Sequence, residues 1–123
     1  MSLRKILYYF FIVILLLAGL VLLGSAFPFT HYKFLIVSSG SMAPAIKQGS
    51  IIMATAMKDY HKGDVIVFFY ASDKKRLITH RIYAVEMRDN KTFYITKGDA
   101  NKGADLSSII ENEILGRVVF KIP

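Results

Sequence analysis

The residues from Ile6 to Leu23, ILYYFFIVILLLAGLVLL, form an uncharged apolar run of 18. At about 1.5 Å of rise per residue, a helix over this run reaches roughly 27 Å, close to the hydrocarbon thickness of a bilayer. Gly24 to Phe27 extend it enough to span with some tilt. Arg4 and Lys5 lie just before it, so the positive-inside rule places the N-terminus in the cytoplasm and everything after Phe27 on the outer face. Tyr8, Tyr9 and Phe27 suit interfacial anchors. A cleavable signal sequence is the competing reading, with Gly24-Ser25-Ala26 as the small residues near a cut. The apolar core of such sequences is about 7 to 15 residues, shorter than this one. A buried soluble helix is a third reading, but a helix apolar on all sides needs cover all round, and only 96 residues follow Phe27. The expectation is a single-pass anchor in residues 1–27 and an extracytoplasmic domain in residues 28–123.

Composition narrows what that domain does. The 123 residues contain no cysteine, which excludes disulfides, thiolate metal sites and cysteine nucleophiles. The three histidines, His31, His61 and His80, are too few and too scattered for a histidine-rich zinc site, and no metal or other cofactor is expected. Fourteen basic and nine acidic residues follow Phe27, a balance of +5 that favours anionic lipid headgroups.

The domain reads as mostly β. Lys33 to Val37, Ser50 to Ala54, Asp64 to Tyr70, Leu77 to Glu86, Thr92 to Thr96 and Leu115 to Lys121 are short and rich in Val, Ile, Phe, Tyr or Thr. Breaks fall at Ser38-Ser39-Gly40, Lys47-Gln48-Gly49, His61 to Asp64, Ser72 to Lys75, Arg88 to Lys91 and Lys97-Gly98-Asp99. Arg88 to Lys91 predicts a hairpin turn, and Asp105 to Asn112 one short helical turn.

Three clusters carry chemistry-bearing side chains. Ser38-Ser39-Gly40-Ser41-Met42-Ala43-Pro44 follows an apolar strand. A serine acts as nucleophile when a constrained turn presents its hydroxyl beside an oxyanion-stabilising N–H, and Gly40 and Pro44 constrain this one. In an extended stretch Ser39 and Ser41 share a side, so the Ser39 hydroxyl is placed to donate to an oxyanion formed at Ser41. An ordinary Ser/Gly loop is the plain alternative. His80 stands in Leu77-Ile78-Thr79-His80-Arg81-Ile82, where an imidazole suits a general base, although a lone strand histidine is more often a packing residue. Arg81 points to the opposite face and is expected in solvent. Asp99 and Asp105 lie six residues apart in the loop Thr96 to Asp105, and either is placed to orient His80. Calcium binding by this loop is disfavoured by Lys97 and Lys102.

Ser39-Gly40-Ser41-Met42 with Pro44, then Gly63-Asp64-Val65-Ile66, Thr79-His80-Arg81, and Lys97-Gly98-Asp99-Ala100-Asn101 with Asp105 resemble the successive boxes of type I signal peptidases, in order, spacing and preceding anchor. The histidine in the third box is similar to the archaeal and endoplasmic-reticulum branch, where it stands in place of the lysine base of the ordinary bacterial enzymes. The resemblance implies a membrane-bound serine endopeptidase that cleaves signal peptides from secreted preproteins during Sec-dependent export. It makes Ser41 the nucleophile, His80 the general base, Asp105 its acidic partner and Asp99 a second acidic residue supporting the loop or the site. The Ser41 N–H and the Ser39 hydroxyl form the implied oxyanion hole. Asp64 holds loop geometry. Implied partners are preproteins, the lipid bilayer, and the Sec translocon or accessory subunits, at the cell membrane or endoplasmic-reticulum membrane. Ala100 departs from the Asn that endoplasmic-reticulum sequences often carry. The chain stops at Pro123, where many relatives continue, and reads as a minimal or shortened member.

An extended cleavage region would add as a strand near Ser41. Ile36, Val37, Met42, Ile82 and Phe68 are expected to line pockets that admit Ala-like residues, with Met42 exposed towards the membrane surface. Three alternatives stand beside this reading. A Ser/Lys dyad would use Lys97. A non-catalytic tethered β domain, structural or accessory, would ignore loss of Ser41. Nucleic-acid binding, through a Lys74-Lys75-Arg76 loop and strand aromatics, is disfavoured by the anchor.

Overall fold

The computed structural model describes residues 1–26, 31–70 and 73–123. The chain divides into two compact units, Met1–Thr30 and His31–Pro123.

The first unit is the helix α1, Leu3–Ala26. Its 24 residues reach about 36 Å, none of its side chains is buried, and it is long and apolar enough to cross a membrane. Nothing in its sequence offers a polar face, so a bilayer satisfies it better than water does. Phe27, one of the expected anchors, lies outside the described residues.

The second unit is an antiparallel sheet of six strands: β1 (Tyr32–Ile36), β2 (Ile51–Thr55), β3 (Val65–Tyr70), β4 (Asp73–Arg88), β5 (Lys91–Lys97) and β6 (Ile114–Ile122). Their order across the sheet is β1-β2-β6-β3-β4-β5. β3 reads VIVFFY without polar alternation, and its place in the sheet explains why. Ile66 and Phe68 enter one apolar cluster with Tyr60, Ile82, Tyr94 and Ile109, while Val67 enters another with Val37, Met42, Ile46, Ile52 and Ala54. A strand covered on both faces needs apolar residues at both parities.

The predicted hairpin at Arg88 to Lys91 forms with Asp89 and Asn90 at φ of 49° and 58°, the two-residue turn whose twist matches the flanking strands. Two expectations change. Asp73 to Arg76, expected in turns or loops, belong to β4 and extend that strand to 16 residues, while Ser72 lies outside the described residues. The helical turn expected over Asp105 to Asn112 shrinks to a 3-10 turn at Glu111–Glu113, because Ile109 instead pairs with Tyr94 in both backbone directions.

β4 determines where the site forms. Its first part, through Arg81, pairs with β3, and from Arg81 onward it also pairs with β5. β5 leaves the sheet after Lys97, opposite Arg81. The loop that follows returns at Asp105, whose N–H donates to the Thr96 carbonyl at 2.8 Å. That return brings loop residues beside His80.

Candidate active site

Ser41 begins the turn after β1. The segment from Ser38 to Gly49 is closed by the Val37 N–H donating to Ser50 O (2.9 Å) and the Gly49 N–H donating to Val37 O (2.8 Å). Within it, Ala43 N–H bonds Gly40 O and Ile46 N–H bonds Met42 O. Met42, 1% exposed, is the apolar peg of this turn, and burying it leaves its neighbour Ser41 facing the cleft. Ser41 therefore sits in the constrained turn that Gly40 and Pro44 announce. Its Oγ still lies 3.2 Å from the Ser39 Oγ.

His80 lies on β4, 8% exposed, with its ring edge-on to Phe68. Its Nε2 is 3.1 Å from the Ser41 Oγ and its Nδ1 is 2.6 Å from the Asp105 Oδ2. A carboxylate only accepts, so the network assigns the proton to Nδ1 and leaves Nε2 to accept from the Ser41 hydroxyl. The Thr96 hydroxyl, on a fully buried residue, donates to the same Asp105 Oδ2 at 2.6 Å. Asp105 is thus held by the Thr96 backbone and side chain together. Thr96 was not singled out from the sequence, although strand alternation at β5 could have pointed to it.

Asp99 goes elsewhere. It accepts from Arg81 Nε (2.9 Å) and Nη2 (2.8 Å), while Arg81 Nη1 donates to Gly63 O. Strand alternation sends Arg81 to the face opposite His80, as expected, but it is paired there and not left to solvent. The hydrogen bonds from the guanidinium hold the Asp99 carboxyl below the usual carboxylate range, and Asp99 in turn raises Arg81. The Asp99 loop buttresses the serine: Ala100 N–H donates to Ser41 O at 2.9 Å. A Cβ on Gly98 would meet that same carbonyl at 2.6 Å, so no other residue fits without displacement. Asp64 caps its own turn, accepting from His61 N–H at 2.9 Å, beside Gly63 at φ 95°. Lys97 directs its ammonium to Gly98 O.

Ser39, Ser41 and His80 open onto a cleft of about 300 Å³ whose walls include Leu35 to Val37 of the β1 arm and Arg76 to Thr79 of β4. Ile36, 74% exposed, and Val37 line it as expected. Met42 and Ile82 do not: both are 1% exposed and locked in the two core clusters. Met42 was expected at the surface, but the turn closes over it. Ile82 shares His80's parity, yet Tyr94 and Ile109 pack into the same cluster and cover it. Phe68 lies behind the imidazole and borders a second cavity, of about 560 Å³, on the Asp105 side. A larger cleft, about 730 Å³, runs between Ala45, Asp64, Arg117 and Lys121, and among the described residues no serine, threonine or histidine lines it. Among the described residues no cluster of His, Asp and Glu has the makings of a metal site.

Residues 5–102 match the family of signal peptidases, peptidase S26. Signal peptidase I W of Bacillus subtilis is 33% identical over 96 residues, covering 75% of this chain and 50% of that protein. The signal peptidase complex catalytic subunits SEC11 of Zygosaccharomyces rouxii and Lachancea thermotolerans are 33% and 34% identical, covering 63% and 76% of this chain and 47% and 62% of theirs. The chain spans about half the length of the first of these relatives. With four-fifths of its length inside the family match, the chain belongs to the signal peptidase family, peptidase S26.

Proposed function

We propose that this chain is a membrane-anchored serine endopeptidase that removes N-terminal signal peptides from exported preproteins, with Ser41, His80 and Asp105 as its catalytic residues. The observation that carries the reading is the continuous relay from Ser41 Oγ through the imidazole to Asp105, at 3.1 and 2.6 Å. His80 Nε2 takes the proton as Ser41 Oγ attacks the scissile carbonyl. The Asp105 carboxylate, which accepts from Nδ1–H, stabilises the imidazolium so formed. Negative charge on the carbonyl oxygen meets the Ser41 N–H and the Ser39 hydroxyl. The imidazolium then protonates the leaving amine, and water, deprotonated by the same imidazole, releases the acyl group. Asp99 positions the serine turn through Arg81 and the Ala100 bond and touches no reacting atom.

The substrate is read as an extended segment lying between the β1 arm and β4, with Ile36, Val37 and Leu77 leaving room for small side chains near the cut. The N-terminus lies in the cytoplasm and residues 28–123 outside it, at the cell membrane or the endoplasmic-reticulum membrane, where α1 brings the site to a substrate that is itself membrane-bound. Relatives named as catalytic subunits of a signal peptidase complex support accessory subunits as partners. The deciding experiment is cleavage of a preprotein with an Ala-X-Ala signal peptide by the detergent-solubilised chain, with Ser41→Ala beside it. Cutting after the second Ala by the wild type alone is expected. Equal cutting by both proteins, or cutting by neither while both are folded, would overturn the reading in favour of a tethered non-catalytic domain.

A further inference from the structure

Among the described residues, the lining of the cleft beside Ser41 contains one permanently charged side chain, Arg76, and no carboxylate. Arg76 stands on β4 four residues before His80, and both side chains line this cleft, about 13 Å apart along the strand. Its guanidinium is stacked over the Tyr70 ring, 5.4 Å from the centroid, which fixes the charge near one end of the cleft. Of the other lining residues, Leu35, Ile36, Val37, Val67, Leu77 and Ile78 are apolar and do nothing to offset it.

We propose that Arg76 is a specificity-determining residue: it makes the cleft select substrates by charge, rejecting a basic side chain and accepting a neutral or acidic one about four residues from the scissile bond. This rests on the peptidase reading in one respect, that the cleft binds an extended peptide with its scissile bond at Ser41. An extended peptide rises about 3.3 Å per residue, as β4 does, so a residue four positions from the one opposite His80 comes level with Arg76. A Lys brought to within about 6 Å of the guanidinium at this half-exposed mouth is disfavoured roughly three- to tenfold relative to Gln, and a Glu is favoured by a similar factor.

The test uses the full chain in detergent carrying Ser41→Ala, so that binding is read without cleavage. The probes are fluorescent peptides of about twelve residues, otherwise uncharged, with Ala-Gln-Ala before the cut. Lys, Gln or Glu stands at the fourth or fifth position before the cut, or at the third, fourth or fifth after it. Anisotropy is expected to give weaker binding for Lys than for Glu at one of these positions on one side. Arg76→Gln should level that ratio and Arg76→Glu should reverse it, and because each ratio is taken within one preparation a partly unfolded variant does not mimic the effect. A Lys-to-Glu ratio that Arg76→Glu leaves unaltered at every position would overturn the proposal, as would failure of all the peptides to bind. Charge-ordered binding of peptides that the unmodified chain never cuts would instead remove the peptidase reading and leave the charge selection standing.

Discussion

The loop from Lys97 to Asp105 carries a carboxylate near each end, and the two have opposite surroundings. Asp99 faces a permanent cation, Arg81, and Asp105 faces the His80 imidazole and a threonine hydroxyl. The cause is one step along β4: His80 and Arg81 are neighbours in sequence and therefore point to opposite faces of the sheet. The loop that leaves β5 opposite Arg81 delivers one acid to each face. The comparison teaches that a charge partner fixes what an acid can do. The acid on Arg81 spends its charge on holding structure, whereas in the proposed mechanism the acid on His80 keeps its charge for a proton that arrives during the reaction.

Exchanging the two ends should give opposite signatures. Asp105→Ala is expected to lower kcat by about a thousandfold or more with a modest change in melting temperature, since the imidazole loses its orienting acceptor. His80→Ala should cost at least as much, and its survival would hand the role of base to another group. A second prediction concerns the hydroxyl that shares Asp105. Thr96→Val should lower kcat about tenfold and move the acid limb of the rate profile to higher pH, because the carboxylate then offers its undivided charge to the imidazolium, and Thr96→Ser should restore both. An unaltered profile in Thr96→Val would show that the hydroxyl only packs.

Asp99→Asn should do the reverse of Asp105→Ala. Cleavage is expected to fall no more than about tenfold, while stability falls by about 1 kcal/mol, read as a melting temperature lower by roughly 5 °C. A larger catalytic loss than that of Asp105→Ala would invert the assignment of the two acids. The smallest effect lies in pH. The Asp99 carboxyl is held below its ordinary range, so its contribution to stability is complete above that range and is lost as the pH falls through the lowered value. The gap in melting temperature between the wild type and Asp99→Asn should stay constant from neutral pH to about pH 4 and close only below it.

Much of this was legible in the sequence, for identifiable reasons. Strand limits fall within a few residues of expectation except at β4, where Asp73 to Arg76 lack the apolar alternation that announces a strand and only Asp73 pairs with β3, across a register shift from Leu77. The serine turn was legible because Gly40 and Pro44 restrict its backbone. Met42 was not, because a turn has no period from which to read burial; only closure of the segment over the core decides it. Ile82 was misplaced for a related reason. Parity put it beside His80, but the cleft ends where β4 acquires β5, and that is a matter of strand pairing. The two acids could not be told apart while Arg81 was taken as solvated, since six loop residues allow either to reach either face.

The loop's attachments have a mechanical consequence. It is fastened to the serine carbonyl through Ala100, to Arg81 through Asp99, and to Thr96 through Asp105. The contact at Gly98 leaves no slack at the first fastening. Ser41 and Asp105 thus ride on a single brace, and a shift at one is transmitted to the other. The distances on either side of the imidazole should drift together in any variant that loosens the loop, and a transplant of this chemistry onto another sheet would have to carry the whole brace from Thr96 to Asp105 along with the serine turn.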